Sequence, residues 1–403
     1  VIERVEILNY KSITDLKLSL GAINVFIGEN GAGKSNILEA LALAGAAEAR
    51  KLDNEFLASR GIRVTAADFM RSAFSDQSSK EPISITVSSD DGNRVRYTLT
   101  NDNKPYSSWT SHTRHESVGD IGIKSLTDFF VKYLDGVDEK QRKEFLAAIQ
   151  SLVDADGEVE DAGKRLKKSF EVELKIEPPK LMFGSAAISD FIIFSPENTA
   201  LRMFEREGQI EPLGINGEGL LKLLTVMSRS RDKRAISAVK ESLKLFSWFE
   251  DFKIPRDNSR REINIMDTFI GAKTGNFDQR SANEGFLFVA FYFALFSSSL
   301  TPKFFAIDNI DASLNPKLCR ELMVRLAMLS AENEKQAILT THNPAILDGM
   351  NLDDDSQRLF IVSRSSEGHT KVRRFKKKNS GALPSKLSEM FLSGAIGALP
   401  KGF

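Results

Sequence analysis

The 403-residue chain has one cysteine and four histidines, and its 55 basic side chains are matched by 55 acidic ones. A lone Cys319 excludes a disulfide framework and any thiolate zinc site. His112, His115, His342 and His369 are too few and too scattered to suggest a metal cluster. A formal charge of zero excludes a global basic field, so any grip on nucleic acid or acidic lipid must be local. Long hydrophobic runs are missing too. The longest, Phe286 to Phe296, covers 11 residues and reads as a buried helix, since a membrane span needs about 20. Charges interrupt the apolar stretches between Val1 and Leu20, which gives no signal-peptide core. A soluble cytoplasmic protein without membrane contact is the expectation.

What is present is an alternation of strand and helix patterns. Val1–Leu20 alternates apolar and polar residues on either side of Asn9-Tyr10-Lys11-Ser12, which predicts two antiparallel strands. Ile23–Ile27 is an apolar strand, followed by a glycine-rich loop and a helix from about Lys34 to Glu48. Between Glu81 and Thr100 two β-rich runs flank Asp90-Asp91-Gly92-Asn93, a hairpin signal. Residues 124–168 are charged and helical, with no heptad pattern sustained enough for a coiled-coil arm. After Pro178-Pro179 come a buried strand at Phe191–Phe194 and a charged helical stretch from Gly219 to Phe252. From Arg261 onwards strands and helices alternate in a doubly wound manner: INIMDTFIG a strand, Glu284–Ser297 a helix, KFFAIDN a strand, Pro316–Asn333 a helix, QAILTTHN and RLFIVSR strands.

Gly28-Glu29-Asn30-Gly31-Ala32-Gly33-Lys34-Ser35 matches the phosphate-loop pattern G-x-x-x-x-G-K-[ST] in full, between a strand and a helix as that motif requires. The glycines let backbone N–H groups turn towards phosphate, and the helix N-terminus adds its dipole. Lys34 would reach the β- and γ-phosphates of ATP, and Ser35 would ligate Mg²⁺. Lys303–Ile307 is an apolar strand ending in Asp308, the expected carboxylate partner of Ser35 on the metal; the simpler reading is an aspartate capping a turn.

With these residues in view, the chain resembles the ABC-type ATPases of the SMC/RecF and OLD group, the AAA-type ATP-binding proteins of prokaryotic DNA-repair and anti-phage operons. IERVEILNYKSITDLKLSLGAINVFIGENGAGKSNILEAL carries the resemblance at one end, and NEGFLFVAFYFALF, FFAIDNIDASLNP and ILTTHNPAIL carry it at the other. The resemblance implies an α/β fold: an ABC-type P-loop ATPase with a mixed central sheet, an N-terminal antiparallel β lobe and a helical insertion. Residues 1–60 and 190–403 would form the split ATPase domain and 61–120 the β-rich part of the lobe. Residues 121–190 would be the helical insertion, and 220–255 a helical lobe segment.

The nucleotide set implied is Asn30, Gly31, Gly33, Lys34, Ser35 and Asn36, joined by Asn283 and Gly285 at a signature helix supplied by a second protomer. Asn283 stands where the family has serine, Glu284 beside an anion is unexpected unless it points away, and a plain helix cap is the alternative. Ile310–Pro316 would be the loop crossing the dimer interface, and His342 the switch histidine at the γ-phosphate. Asn198 lies where the family relays nucleotide state, or merely caps a helix. One departure stands out. The family places glutamate directly after the metal aspartate, whereas this chain has Asn309, which can orient a water but cannot take its proton. Asp311 is a candidate substitute. Slow hydrolysis and a long-lived ATP-bound state follow.

Partners are less constrained. About 60 residues follow His342, too few for the nuclease domain of OLD proteins, and Asp353-Asp354-Asp355 reads as solvated charge. Basic clusters at Arg229–Arg234, Arg256–Arg261 and Arg373–Lys378 are each either solvated charge or a phosphate-backbone contact, the last being the best candidate. The expectation is a homo-oligomer, an ATP-sandwich dimer or larger, that acts as sensor and scaffold for a separate effector, a nuclease or toxin, in anti-phage defence. The alternative is a RecF-like ATPase that binds DNA in repair or recombination.

Overall fold

The computed structural model describes residues 1–75, 77–104, 107–117, 186–204, 211–256, 261–271, 275–376 and 386–396. The expected insertion at 121–190 lies outside these apart from its last residues, where a short helix α4 (Ala186–Ser189) is found.

Two sheets sandwich one helix. The N-terminal lobe is a five-stranded antiparallel sheet in the order β2-β1-β4-β5-β6, with β1 Ile2–Tyr10, β2 Ile13–Ser19, β4 Ile83–Ser89, β5 Asn93–Thr100 and β6 Thr110–Ser117. The central sheet runs β13-β12-β3-β11-β10-β7, from β13 (Thr370–Phe375) and β12 (Gln357–Arg364) through β3 (Ile23–Gly28) to β11 (Gln336–Thr341), β10 (Phe304–Ile307) and β7 (Ile193–Phe194). All its neighbours are parallel except β12 and β13, so the sheet is mixed as expected.

Helix α1 (Lys34–Glu48) lies between the sheets, which explains why LEALALAGAA has no polar face: every residue from Ile37 to Ala47 is buried. Its small side chains allow close approach. A Cβ at Gly45 would lie 2.3 Å from the Ile188 carbonyl of α4. On the other face of the central sheet, α8 (Glu284–Ser297) is buried from Gly285 to Ser297, so the 11-residue apolar run is a core helix. Around it pack α5 (Asn198–Arg202), α6 (Leu220–Arg229), α7 (Arg234–Leu243) and α9 (Pro316–Asn333). The central strands therefore face two cores. Val25, Ile27, Phe305, Ile307 and Leu339 point to the α8 side, and Phe26, Phe304, Ala306 and Ile338 to the α1 side. Strands covered on both faces read as continuous apolar runs, and these do.

Three expectations are corrected. INIMDTFIG is not a strand of the central sheet: β9 (Asn264–Asp267) pairs antiparallel with β8 (Phe249–Lys253) in a separate two-stranded sheet. The Gly219–Phe252 stretch is not one helical run, because it breaks between α6 and α7 and ends in β8. Arg373 and Arg374 lie in β13, which was not foreseen, and both serve the fold. Arg373 donates to the Ile396 carbonyl at 2.6 Å, and Arg374 pairs with Asp355. Asp355 also takes Arg358, so that acidic run is partly paired rather than simply solvated.

At the amino end of β11, Lys335 is 2% exposed and has no carboxylate partner among the described residues; its Nζ donates to Thr301 O and Oγ1, both at 2.8 Å, and to Pro302 O at 3.1 Å. Burial, then the nearby Lys303, lowers its pKa from 10.5 to about 7. The unfolded chain thus holds a proton between those values that the folded chain sheds, so the contribution of Lys335 to stability rises with pH across that window. The slope is at most about 1.4 kcal/mol per pH unit for one proton. Urea unfolding at pH 7 and 9 is expected to show this rise in the native chain and a smaller one in Lys335→Met. Equal slopes would contradict the assignment.

Candidate functional site

Because β12, β3, β11, β10 and β7 are parallel, their carboxyl ends share one edge, where such sheets bind ligands. β3 delivers Gly28–Ser35, β10 delivers Asp308, β11 delivers His342, and β7 delivers Ser195. The loop's glycines have steric reasons. A Cβ at Gly28 would lie 2.0 Å from Val362 O across the β3–β12 pair. Gly33 has φ +103°, and its Cβ would lie 2.1 Å from Thr370 Oγ1. The loop is also tied from β12 and β13: Arg364 Nε donates to Gly31 O at 2.7 Å and Thr370 Oγ1 to Ala32 O at 3.0 Å.

Ser35 Oγ donates to Asp308 Oδ2 at 2.9 Å. The other oxygen, Oδ1, accepts from Thr340 Oγ1, which in turn accepts from Asn309 N at 2.9 Å. Lys34 Nζ donates to Gly28 O at 2.8 Å and Glu29 O at 2.9 Å, and lies 3.5 Å from His342 Nδ1. Burial lowers Lys34 to about 8, against the pull of Asp308, Asp311 and Glu29. Beside Ser35 and Asp308 is a cleft of about 230 Å³ lined also by Glu39, Gly61, Arg63, Ile193, Ser195 and Ile215. A larger open cleft of about 470 Å³ lies between the β lobe and the start of β12, lined by Arg4, Ser88, Arg94 and Arg358 among others, with no phosphate-loop residue in its lining.

The structure thus brings together Gly31, Gly33, Lys34, Ser35, Asp308, Asn309 and His342. Asn30 is exposed at the loop tip, while Asn36 is engaged elsewhere: its Nδ2 donates to Ser12 Oγ at 2.7 Å and its Oδ1 accepts from Arg63 at 3.2 Å. Asp311 Oδ1 accepts from Thr341 Oγ1 at 2.6 Å. Asn283 and Gly285 are placed apart from the loop, at the start of α8 against Ser313 and Leu314. Glu284 does turn away, accepting from Ser313 Oγ at 2.6 Å, and Asn283 makes no side-chain cap bond. Asn198 accepts from Arg202 Nε at 2.7 Å and does not cap α5, whose N-cap is Glu197.

Sequence reading missed Ser195, Glu39 and Arg63. Ser195 was reachable, since it directly follows the strand FIIF and so lies on the ligand edge. No spacing rule links Arg63 to Ser35. Asn309 has φ +54°, a conformation that asparagine tolerates and glutamate resists. Asparagine rather than glutamate is therefore the residue type that this backbone favours.

A phosphate loop and a strand-end aspartate on a mixed sheet, capped by an antiparallel lobe, define an ABC-type, SMC-like P-loop ATPase fold. The chain belongs to the family described as "AAA domain, putative AbiEii toxin, Type IV TA system", whose model matches residues 23–348. No curated protein matches it in sequence. Among solved structures it is similar to an SMC head bound to the C-winged helix domain of ScpA, at 14% identity and TM-score 0.51, over 93% of this chain and 98% of that one. At that identity the likeness shows the fold alone. An SMC head domain from Thermotoga maritima matches at 12% identity and TM-score 0.45, covering 93% and 99% of the two chains. An Smc head with an extended coiled coil, bound to a ScpA domain derived from Pyrococcus furiosus, matches at 15% and 0.49, covering 98% and 99%. Among the described residues no helix is long and apolar enough to cross a membrane, and no acidic, histidine or cysteine group could hold a metal by itself.

Burial and the Lys34 cation lower the His342 pKa below its ordinary 6.5, with Asp311 and Asp308 opposing. A proton NMR titration of the nucleotide-free chain should place His342 below that value, and Lys34→Met should move it up. Titration at or above 6.5 in the native chain would contradict this electrostatic picture.

Proposed function

We propose that the chain binds ATP with Mg²⁺ at this edge, hydrolyses it slowly, and uses its nucleotide state to control a separate effector protein. The observation that carries the reading is the Ser35–Asp308 contact beneath an intact phosphate loop. The donors fit: Ser35, Ser195 and Asp308 offer hard oxygens, which suit Mg²⁺. When bound, the metal supplies charge neutralisation for the β- and γ-phosphates. Ser35 and Asp308 hold it, Lys34 exchanges its two carbonyl partners for phosphate oxygens, and the backbone of Asn30, Gly31 and Gly33 receives the anion, with Asn36 alongside. Asn309 orients the attacking water without taking its proton, Asp311 is the nearest further carboxylate in the same loop, and His342 meets the γ-phosphate.

Asn283 and Gly285 of one protomer close over the nucleotide of another in a homo-oligomer. Site residues drawn from both ends of the chain support a split ATPase domain over 1–60 and 190–403. The boundaries of 61–120, 121–190 and 220–255 go with that proposal. The family description ties chains of this kind to type IV toxin–antitoxin systems; in our reading the regulated effector is a separate nuclease or toxin, acting in phage defence in the cytoplasm.

A second reading, a RecF-like ATPase on DNA, is favoured by one observation. The pairings Arg4↔Ser88↔Arg94↔Glu116 and Glu6↔Thr86↔Arg96↔Arg114 put four arginines, several hydroxyls and two carboxylates on one face of the lobe sheet, with Arg94 paired to Glu6 at 3.4 Å, a mixed but net basic surface for phosphate backbone.

Steady-state turnover separates these ideas. The native chain should hydrolyse ATP slowly, and Asn309→Asp, whose carboxylate tolerates the same left-handed backbone, should be faster by up to about 10²-fold. A fast native chain that Asn309→Asp leaves unchanged would sink the slow-switch reading. Mass measurement with and without ATP should show an ATP-dependent oligomer that Lys34→Ala cannot form. Steeply salt-dependent duplex binding would favour the DNA reading instead.

A further inference from the structure

One charge interrupts the apolar middle of α1. Glu39 is 2% exposed, with Ile37, Leu38, Ala40 and Leu41 buried around it. A carboxylate there is costly unless it is paired and hydrogen-bonded. It is paired on both sides. Oε2 accepts from Tyr10 Oη at 3.2 Å and from Lys11 Nζ, both in the β1–β2 turn region. Oε1 accepts from Arg63 Nε at 2.5 Å. Lys11 Nζ donates in addition to the Arg63 carbonyl at 3.1 Å, and Arg63 Nη2 to Asn36 Oδ1 at 3.2 Å.

The two cations differ in exposure. The Lys11 side chain is 12% exposed and buried in the network, whereas that of Arg63 is 66% exposed and lines the cleft with Ser35 and Asp308. Glu39 stands one helical turn after Ser35, so both lie on one face of α1 beneath that cleft. Two cations on one carboxylate leave a net positive charge, and its exposed end is a guanidinium with donors to spare beyond its two bonds. Without that cation the ionisable groups lining the cleft would be Glu39 and Asp308, both acidic.

We propose that Glu39 is a positioning residue: it holds the Arg63 guanidinium at the cleft so that Arg63 binds the phosphates of the nucleotide. This rests on the ATP reading of the site. The carboxylate sets the position, because Nε is fixed from below while the rest of the planar fork faces the cleft. Glutamine cannot replace it, since one amide oxygen can serve either Arg63 or the Tyr10–Lys11 pair, and its NH₂ then meets donors on the other side.

The test is a calorimetric titration of the full chain with Mg·ATP, alongside thermal melting, for the native chain, Glu39→Gln, Arg63→Ala and the double variant. Glu39→Gln and Arg63→Ala should each weaken binding roughly tenfold. The double variant should bind no worse than Arg63→Ala, while still showing the lower melting temperature of Glu39→Gln. Native-like affinity in a folded Glu39→Gln, or full additivity in the double variant, overturns the proposal. If Glu39→Gln does not fold, Glu39→Asp retracts the carboxylate while keeping its charge, and the same comparison applies. A native chain that binds no Mg·ATP would refute the underlying ATP reading. A chain that binds it, loses it in Lys34→Ala and ignores Glu39→Gln would refute only the role of Glu39.

Discussion

The site exists because β3 is hydrogen-bonded on both sides by strands from the far end of the chain. Ile23 is in register with Ala337 of β11 and with Gln357 of β12, and the pairing continues to Thr341 and Val362. These contacts span more than three hundred residues, so their closure entropy is recovered only when the whole sheet assembles. Once it has, every strand end arrives at the same edge without further design. The phosphate loop, Asp308, His342 and Ser195 are neighbours because their strands are. A slip of one residue in β3 would turn Val25 and Ile27 from one core to the other and carry the loop with them.

That dependence separates what was legible in the sequence from what was not. Helices α1, α8 and α9 were readable to their ends because local chemistry sets them. Asn315 accepts from Leu318 N and Pro316 opens α9, while the loop glycines release α1. The buried strands were readable as apolar runs. β9 was misplaced because a four-residue strand carries no information about its partner. β13 was overlooked because TKVRRF looks like a basic run, although its register with β12 consumes Arg373 and Arg374. Within the site, the loop, Asp308 and His342 were legible from motif and strand order. Glu39 and Arg63 were not: Arg63 meets Glu39 and Asn36 of α1 from the segment beyond the helix, and no spacing encodes that.

Asn309 shows backbone and chemistry constraining one another. The residue after Asp308 must turn sharply so that its N–H reaches Thr340 Oγ1 and Ile310 N reaches Thr340 O at 3.0 Å. That turn puts Asn309 at φ +54°. For an L-residue with a long side chain the left-handed region costs roughly 1–2 kcal/mol, and asparagine reduces this by bonding locally. An asparagine here thus relaxes the loop while giving up a carboxylate that could accept a proton.

The loop that follows is fastened at each step to a different part of the molecule. Asp308 is held by Ser35 and Thr340, Asp311 by Thr341, and Ser313, itself at φ +59°, by Glu284 at the start of α8. Residues 308–314 therefore run from the phosphate loop, past the end of β11, to the first turn of the most deeply buried helix. The segment has few degrees of freedom left: two left-handed residues and four side-chain bonds fix most of its course. Asp308 at the phosphate loop and Glu284 at the start of α8 are thus joined by one short segment whose course these bonds set. At that end of α8 only Asn283 is exposed and Glu284 half-buried, and from Gly285 onwards the helix lies in a close-packed core, so Glu284 is anchored to an element that has little room to move.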